Sequence, residues 1–158
     1  MEIQDKELHR ITATCAIHKD SKYLIIKRAL HKKVMPGKWA LPGGGLSVDD
    51  YMHTTPSTDA MQWYGPMEKA LRREVKEEVN LEIHKPEFVR DLAFIRPDGI
   101  PVLCFSYGAE YASGEVVLDE DATEFAWVTL KEAEEYDLIS GVLDEMRDAD
   151  RVLQERKG

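Results

Sequence analysis

Residues 67–81 read M-E-K-A-L-R-R-E-V-K-E-E-V-N-L and have the periodicity of an amphipathic α-helix. At about 3.6 residues per turn, Glu74, Glu77 and Glu78 share one face of that helix. Apolar side chains recur every four residues on a second face, and they are Met67, Leu71, Val75 and Val79. The helix is therefore predicted to pack its apolar stripe on a core while it holds three carboxylates together at the edge.

The three carboxylates repel one another, since like charges at this spacing cost about 0.2–0.5 kcal/mol per pair. A hard divalent cation with oxygen ligands would offset that cost. Arg73 lies one turn before Glu77 and is predicted to brace it. The alternative is that the glutamates form an ordinary solvated surface, because charge clusters often have only a structural role.

A glycine run lies upstream of this helix, in the segment W-A-L-P-G-G-G at residues 39–45. Together, P-G-G and R-E-V-K-E-E-V-N-L resemble the signature of the Nudix hydrolases, G-x5-E-x7-R-E-U-x-E-E-x-G-U, in which U is a bulky aliphatic residue. Gly44 matches the opening glycine. The matches within the helix are Arg73, Glu74, Val75, Glu77, Glu78 and Leu81. The signature covers a small part of the chain, and the order of the remaining elements is similar to the family over nearly its whole length.

The sequence departs from this signature in three ways. Twenty residues separate Gly44 from Gly65, the position eight before Arg73, so about 15 residues are inserted relative to the pattern. Gly65 replaces the first glutamate, which supports the metal-binding face in the family. Asn80 replaces the closing glycine, and Asn is the next best residue for a left-handed helix end. The missing carboxylate leaves open a second interpretation, a Nudix-like nucleotide-binding module with weakened catalysis.

The inserted segment, residues 46–64, is longer than about 12–15 residues, a length that loops in compact domains rarely exceed. Its middle is polar, while Tyr51 and Trp63 lie toward its ends. One interpretation is a mobile surface loop. The other is a lid over the active site, in which Trp63 stacks on a base.

The order of the elements indicates the fold class. The predicted strands span residues 11–18, 23–28, 39–41, 81–95 with an interruption at Pro86, 101–111 and 124–130. A tight turn is predicted over Gly43–Gly45, and two final helices over residues 131–137 and 139–155. This order predicts one domain over residues 1–158 of the α+β class, built as an α/β/α sandwich. The resemblance adds the Nudix fold, a mixed central sheet flanked by helices.

Composition and charge restrict the partners. The formal net charge of −9 argues against a nucleic-acid duplex or an anionic membrane as the main partner. No stretch approaches the roughly 20 apolar residues of a membrane span, and the start M-E-I-Q-D-K-E lacks the order of a signal peptide. Cys15 and Cys104 fall in predicted strands, as expected of buried thiols in a reducing compartment. The expected location is the cytoplasm, and a homodimer is compatible with the sequence.

The resemblance implies a nucleotide pyrophosphohydrolase that depends on Mg²⁺ or Mn²⁺. Its small-molecule substrate would be a nucleoside triphosphate, ADP-ribose or a nucleotide sugar, and an acidic protein can bind such a phosphate through the metal. An unrelated acidic interaction domain is the remaining alternative, and the glycine run ahead of the helix argues against it.

The resemblance and the residue pattern together indicate the site residues. The expected metal ligands are Glu74, Glu77, Glu78 and Asp121, the last of which lies six residues before Trp127. The residues expected to act in catalysis are Glu77, Glu78 or Glu120 as proton acceptor and Arg73 as the residue that orients Glu77. The expected substrate-binding residues are Arg28, Trp39, Gly43, Gly44, Gly45 and Trp63. An ordinary acidic turn is the alternative interpretation of Asp121 and Glu120.

Overall fold

An eight-stranded mixed sheet forms the centre of the computed structural model, which describes residues 1–157. The strands are β1 (Arg10–Lys19), β2 (Lys22–Arg28), β3 (Trp39–Ala40), β4 (Gly43–Gly45), β5 (Glu82–Ile83), β6 (Glu87–Ile95), β7 (Pro101–Ser113) and β8 (Ala122–Val128). The helices are α1 (Pro66–Val79), α2 (Leu130–Ala133) and α3 (Val142–Lys157). Among residues 1–157, no helix combines the length and the apolar character that crossing a membrane requires.

The two longest strands, β1 and β7, run parallel to each other, and the remaining pairs are antiparallel. The edge of β1 that faces away from β7 pairs with two different strands along its length. It pairs with β4 over Thr12–Thr14, but with β2 only at His18 and Lys19. The glycine strand therefore lies beside the first half of β1, next to the cavity described below.

Helices cover both faces of the sheet, as the sequence predicts. α1 buries Leu71, Val75 and Val79 in one apolar cluster, which also holds Cys15, Ile17 and Leu24 from the sheet. α3 buries Met146 and Leu153 in a second cluster, which also holds Ala16, Tyr23 and Ile25. Burying one Leu or Val side chain stabilises the folded state by about 1.5–3 kcal/mol relative to leaving it exposed to water. The predicted α/β/α sandwich is confirmed.

The glycine run is a strand, so the prediction of a tight turn over Gly43–Gly45 is wrong. Extended backbone lets these residues pair with β1, which satisfies hydrogen bonds that a turn would leave to solvent. Gly43 faces the Ala13 carbonyl so closely that a Cβ would overlap it. Glycine is needed here for close approach between two strands, rather than for a change of direction.

Both ends of α1 have left-handed residues. Gly65 precedes the helix with φ of 70°, and Pro66 occupies its first turn, where its missing N–H costs nothing. Asn80 follows the helix with φ of 61° and ψ of 32°, and its N–H donates to the Lys76 carbonyl. The Asn80 amide also donates to the carbonyl of Glu115 at 3.1 Å. The prediction that Asn80 ends the helix in a left-handed conformation is confirmed.

Candidate functional site

A cavity of about 870 Å³ lies between β1, β4, α1 and α3. This volume is in the range of small-molecule binding sites, which is roughly 300–1,000 Å³. Its cationic lining consists of Arg10, Arg28, Lys32, Lys33 and Arg96. Its acidic lining consists of Glu74, Glu78, Asp121 and Glu145. An acidic protein thus concentrates positive charge around one opening that also contains carboxylates.

The glycine strand brings two α1 carboxylates to this cavity. Gly44 lies so close to the Glu74 carboxyl group that a Cβ would overlap it. The Gly43 N–H donates to Glu78 Oε1 at 3.0 Å. Gly43, Gly44 and Gly45 all line the cavity, as expected of residues that approach a ligand with their backbone.

Burial outweighs the nearby positive charge at both cavity carboxylates of α1. Burial raises the pKa of Glu78 to about 8, and the charges of Asp119 and Glu74 add to the rise, while the Gly43 N–H and Arg28 oppose it. Burial also raises the pKa of Glu74, although Arg73 acts in the opposite direction. A cation placed between Glu74 and Glu78 would supply the missing charge.

The raised pKa of Glu78 predicts a pH-dependent stability in metal-free buffer. Between its ordinary pKa of 4.5 and about 8, the folded protein holds a proton that the unfolded chain has released. Stability should therefore fall as pH rises through this window. In Glu78→Gln this contribution is absent. The melting temperature of the variant minus that of the wild type should therefore increase from about pH 5 to about pH 9. A difference that stays constant across these pH values would contradict the raised pKa.

Arg73 links the acids of α1 to the loop after the glycine strand. One guanidinium nitrogen donates to Glu74 Oε1 at 2.8 Å and to Glu77 Oε2 at 3.0 Å. A second donates to the Gly45 carbonyl at 2.9 Å and to Asp50 Oδ2 at 3.1 Å, while Nε donates to the other oxygen of Asp50. The predicted contact between Arg73 and Glu77 is confirmed. All three nitrogens of Arg73 are engaged within the protein.

Asp50 corrects the interpretation of Gly65 as the position of the missing acid. Five residues, 45–49, separate Gly44 from Asp50, which is the spacing that the signature requires. The Asp50 side chain is only 2% exposed, and its hydrogen bonds with Arg73 hold the pKa of Asp50 below its ordinary value. The extra chain therefore follows Asp50 and spans residues 51–65. Counting forward from Gly44, rather than backward from Arg73, would have found this residue.

Residues 51–64 fold back on themselves. The Tyr51 and Trp63 rings lie 5.4 Å apart, and Trp63 Nε1 donates to the Thr54 carbonyl at 3.0 Å. The Ser57 N–H donates to the Gln62 carbonyl at 2.7 Å. No residue from 51 to 64 lines the cavity. The predicted binding role of Trp63 gains no support from this placement, and the surface-loop interpretation is favoured over the lid.

Shortening this loop is expected to leave catalysis almost unchanged. Replacing residues 52–62 with a short Gly-Ser linker should keep kcat/KM within about twofold, because the removed residues contact the cavity nowhere. The measurement is steady-state kinetics across a panel of nucleotides. A changed order of preference among these substrates would show that the loop acts as a lid after all.

The acidic loop before β8 places its three acids differently. Asp121 lines the cavity, but its carboxylate pairs with Lys32 Nζ at 3.2 Å and with His31 Nε2 at 3.5 Å. Glu120 is exposed and is not part of the cavity lining, so its predicted role as proton acceptor gains no support. Asp119, which the sequence did not single out, is the loop acid whose charge acts on Glu78.

Two further predicted substrate-binding residues have contrasting positions. Arg28 lines the cavity, and its Nε donates to the Val34 carbonyl at 2.8 Å. Burial lowers the pKa of Arg28, while Glu78 and Asp121 oppose the shift. Trp39 instead packs edge-on against Tyr136 with ring centroids 4.9 Å apart, beside the second apolar cluster. Its predicted contact with substrate gains no support.

The remaining cationic residues that line the cavity were not predicted from the sequence. Lys32 and Lys33 lie in the loop between β2 and β3, Arg10 begins β1, and Arg96 follows β6. The adjacent lysines in H-K-K, residues 31–33, were the one local signal. The others are ordinary surface cations until the fold brings them together.

A divalent cation would find its oxygen ligands only partly assembled. Glu74 and Glu78 face the cavity, whereas Glu77 is exposed and bound to Arg73. Within residues 1–157, no three His, Cys, Asp or Glu side chains are already clustered as a metal site. The donor set is nevertheless the hard oxygen type that Mg²⁺ and Mn²⁺ prefer.

Comparisons with known proteins agree with this geometry. A NUDIX domain family model matches residues 8–147. The nucleoside triphosphatase NudI of Klebsiella pneumoniae is 30% identical over 152 residues, which cover 90% of this chain and 92% of NudI. A MutT NUDIX hydrolase from Burkholderia pseudomallei superposes with a TM-score of 0.71 at 23% identity, covering 90% of this chain and 98% of that one.

The NUDIX domain of Shewanella oneidensis NrtR, solved with ADP ribose, has a TM-score of 0.70 at 16% identity. It covers 96% of this chain and 94% of that one. The range matched by the family model contains every cavity residue named above.

Proposed function

The chain belongs to the Nudix hydrolase family, and on that premise we propose that it is a pyrophosphohydrolase that cleaves a diphosphate bond of nucleoside triphosphates with Mg²⁺. The observation that carries the proposal is the cavity, which joins Glu74 and Glu78 to a set of cationic side chains. Carboxylates hold divalent cations, and Arg and Lys bind phosphate. The similarity to a nucleoside triphosphatase along 90% of the chain supports triphosphates over ADP-ribose or nucleotide sugars.

Glu74 and Glu78 would hold the metal together with Glu77, which Arg73 would orient through its 3.0 Å hydrogen bond. Their donor chemistry and their burial both fit Mg²⁺, with Mn²⁺ as the alternative ion. When bound, the ion supplies positive charge to phosphate oxygens and acidifies the attacking water.

The chain's own residues would position the substrate around these carboxylates. Arg28, Lys32 and Lys33 are proposed to bind the phosphates, since they line the same cavity as Glu78. Asp121 pairs with Lys32, which favours a role in holding that lysine toward phosphate over a role as metal ligand. Glu77 and Glu78 remain the proposed proton acceptors.

The two alternative functions lose their main support. A weakened nucleotide-binding module was suggested by Gly65, but Asp50 supplies a carboxylate at the required spacing. An acidic interaction surface would need solvated glutamates, whereas Glu74 and Glu78 face a cavity and are partly buried. The cytoplasmic location and the homodimer stay predictions.

The test is a substrate screen with defined metals. Nucleoside triphosphates, ADP-ribose and nucleotide sugars are incubated with Mg²⁺, with Mn²⁺ or with EDTA, and the products are separated by anion-exchange chromatography. We expect triphosphates to yield the monophosphate and inorganic diphosphate only when metal is present. Preferential cleavage of ADP-ribose or a nucleotide sugar would refute the proposed substrate class. Nucleotide binding without turnover would instead favour the weakened module.

A further inference from the structure

The insertion that follows Asp50 has its buried side chains near its two ends. Tyr51 comes directly after Asp50, and Trp63 lies three residues before Pro66, the first residue of α1. Both rings are half-buried, whereas most of the chain between them is exposed. The insertion is therefore best packed where it leaves and rejoins the domain, next to the helix that carries the proposed metal ligands.

Two separate contacts join these ends. The rings of Tyr51 and Trp63 pack at an angle of 49°, with their centroids 5.4 Å apart. Trp63 Nε1 also donates to the Thr54 carbonyl at 3.0 Å. The N–H and the hydroxyl group of Thr54 in turn donate to the Tyr51 carbonyl, at 2.9 Å and 2.6 Å. We call this set of contacts among Tyr51, Thr54 and Trp63 the neck clasp.

Tyr51 also adjoins the turn that presents Asp50 to α1. This turn is a short 3₁₀ helix over Val48–Asp50, and the Ser47 N–H donates to Asp50 Oδ2 at 2.8 Å. The same carboxylate accepts two hydrogen bonds from Arg73. The position of Tyr51 therefore affects the direction of the Asp50 carboxylate and, through it, the position of the Arg73 guanidinium.

The neck clasp restrains the chain at the point where it leaves Asp50. Fixing the backbone of one residue costs about 1–2 kcal/mol of conformational entropy, so residues 51–65 would move freely without such contacts. The hydrogen bonds of Asp50 would then oppose that motion alone. A displacement of about 1 Å among groups that position the reacting atoms can lower a rate roughly 100-fold, so this restraint matters for catalysis.

We propose that Tyr51 and Trp63 are positioning residues for the reaction. The neck clasp holds Asp50 against Arg73, and Arg73 in turn orients the metal-binding glutamates of α1. The inference rests on the proposed function, because those glutamates are its metal ligands. It gives Trp63 an indirect role in place of contact with a base. The shortened protein that lacks residues 52–62 keeps both rings, so its nearly unchanged kcat/KM is expected here as well.

Trp63→Ala removes both contacts of the neck clasp and tests the proposal by kinetics. We expect kcat to fall about three- to tenfold and the Mg²⁺ concentration for half-maximal activity to rise, with KM for the nucleotide unchanged within about twofold. Trp63→Phe keeps a ring and should recover most of the lost kcat. In the Asp50→Asn background, Trp63→Ala should lower kcat by less than about twofold, because Trp63 acts through Asp50.

Tyr64→Ala is the matched control, because it truncates the neighbouring aromatic side chain, which is 69% exposed. It should keep the kcat and the Mg²⁺ requirement of the wild type. Three results would each overturn the proposal: wild-type kcat and Mg²⁺ requirement in a folded Trp63→Ala protein, an equal loss in Tyr64→Ala, or the same fold loss from Trp63→Ala in the Asp50→Asn background as in the wild type.

A measurement without substrate or metal separates this inference from the proposed function. Arg73 Nε–H donates to the buried Asp50 carboxylate, so its NMR signal should exchange slowly with solvent. Trp63→Ala should speed this exchange at least about tenfold, while Tyr64→Ala should leave it unchanged. Unchanged exchange in Trp63→Ala would overturn the proposal. If no nucleotide is cleaved, the proposed function fails, and the exchange rate still decides whether the neck clasp holds Asp50 against Arg73.

Discussion

Replacing Glu78 by Gln is expected to lower kcat by roughly two orders of magnitude or more while the fold stays intact. The substitution removes the carboxyl group that would hold the ion but changes little volume, and the Gly43 N–H can still donate to the amide oxygen. The loss should be accompanied by a weaker response to Mg²⁺, because a neutral amide is a poorer ligand for this ion. The measurements are kcat at saturating nucleotide and the Mg²⁺ concentration that gives half-maximal activity.

Two comparisons separate this effect from unfolding. Glu135→Gln makes the same chemical change at an exposed position outside the cavity and should behave like the wild type. The melting temperature of Glu78→Gln at about pH 8 should equal or exceed that of the wild type, since a buried acid with a raised pKa is removed. Wild-type kcat in a folded Glu78→Gln protein would show that Glu78 does not hold the metal.

The sequence predicted those elements whose signals are local. The three glutamates and the apolar stripe of α1 both follow from helical periodicity, so their separate faces could be read before the structure was known. Asn80 carries its own signal, because few residues other than glycine tolerate a left-handed conformation. The contact between Arg73 and Glu77 follows from their spacing of one turn.

The rest of the site depends on long-range pairing that no local pattern contains. Four strands, β3 to β6, separate Lys32 from Arg96 in the sequence, and only the packing of the strands brings the two residues to one cavity. Glu145 could not be recognised either, since an acid among apolar helix residues does not show whether it faces solvent or a cavity. The glycine strand was misassigned because three glycines favour turns, and pairing with β1 overrides that preference.

The binding roles predicted for the aromatic residues Trp39 and Trp63 gain no support from the structure for a related reason. Trp39 and Trp63 are residue types that often stack on bases, but a large ring is as readily used to fill a core or to close a loop. Trp39 packs on Tyr136, and Trp63 packs on Tyr51. Which of these partners a ring finds is decided by tertiary packing and not by its neighbours in sequence.

The ion pair between Asp50 and Arg73 leads to a second prediction with a large effect on kcat. Arg73→Ala is expected to lower kcat by about 10–100-fold and to raise the Mg²⁺ requirement, with little change in KM for the nucleotide. Arg73 itself does not line the cavity and acts through Glu74 and Glu77. Asp50→Asn should lower kcat by about tenfold, since it removes the charge that fixes two nitrogens of Arg73. The combined variant should be no worse than Arg73→Ala, because Asp50 acts through Arg73.

Asp49→Asn provides the matched control for this cycle. Asp49 is the preceding residue, its side chain is 75% exposed, and its ion pair is with His53 on the surface. It should keep wild-type kcat and the wild-type Mg²⁺ requirement. Losses that add in the combined variant would mean that Asp50 acts on the site independently of Arg73. Wild-type kcat in Asp50→Asn would mean that Asp50 does not serve as the first acid of the signature, and that Arg73 is held in place by Glu74, Glu77 and the Gly45 carbonyl alone.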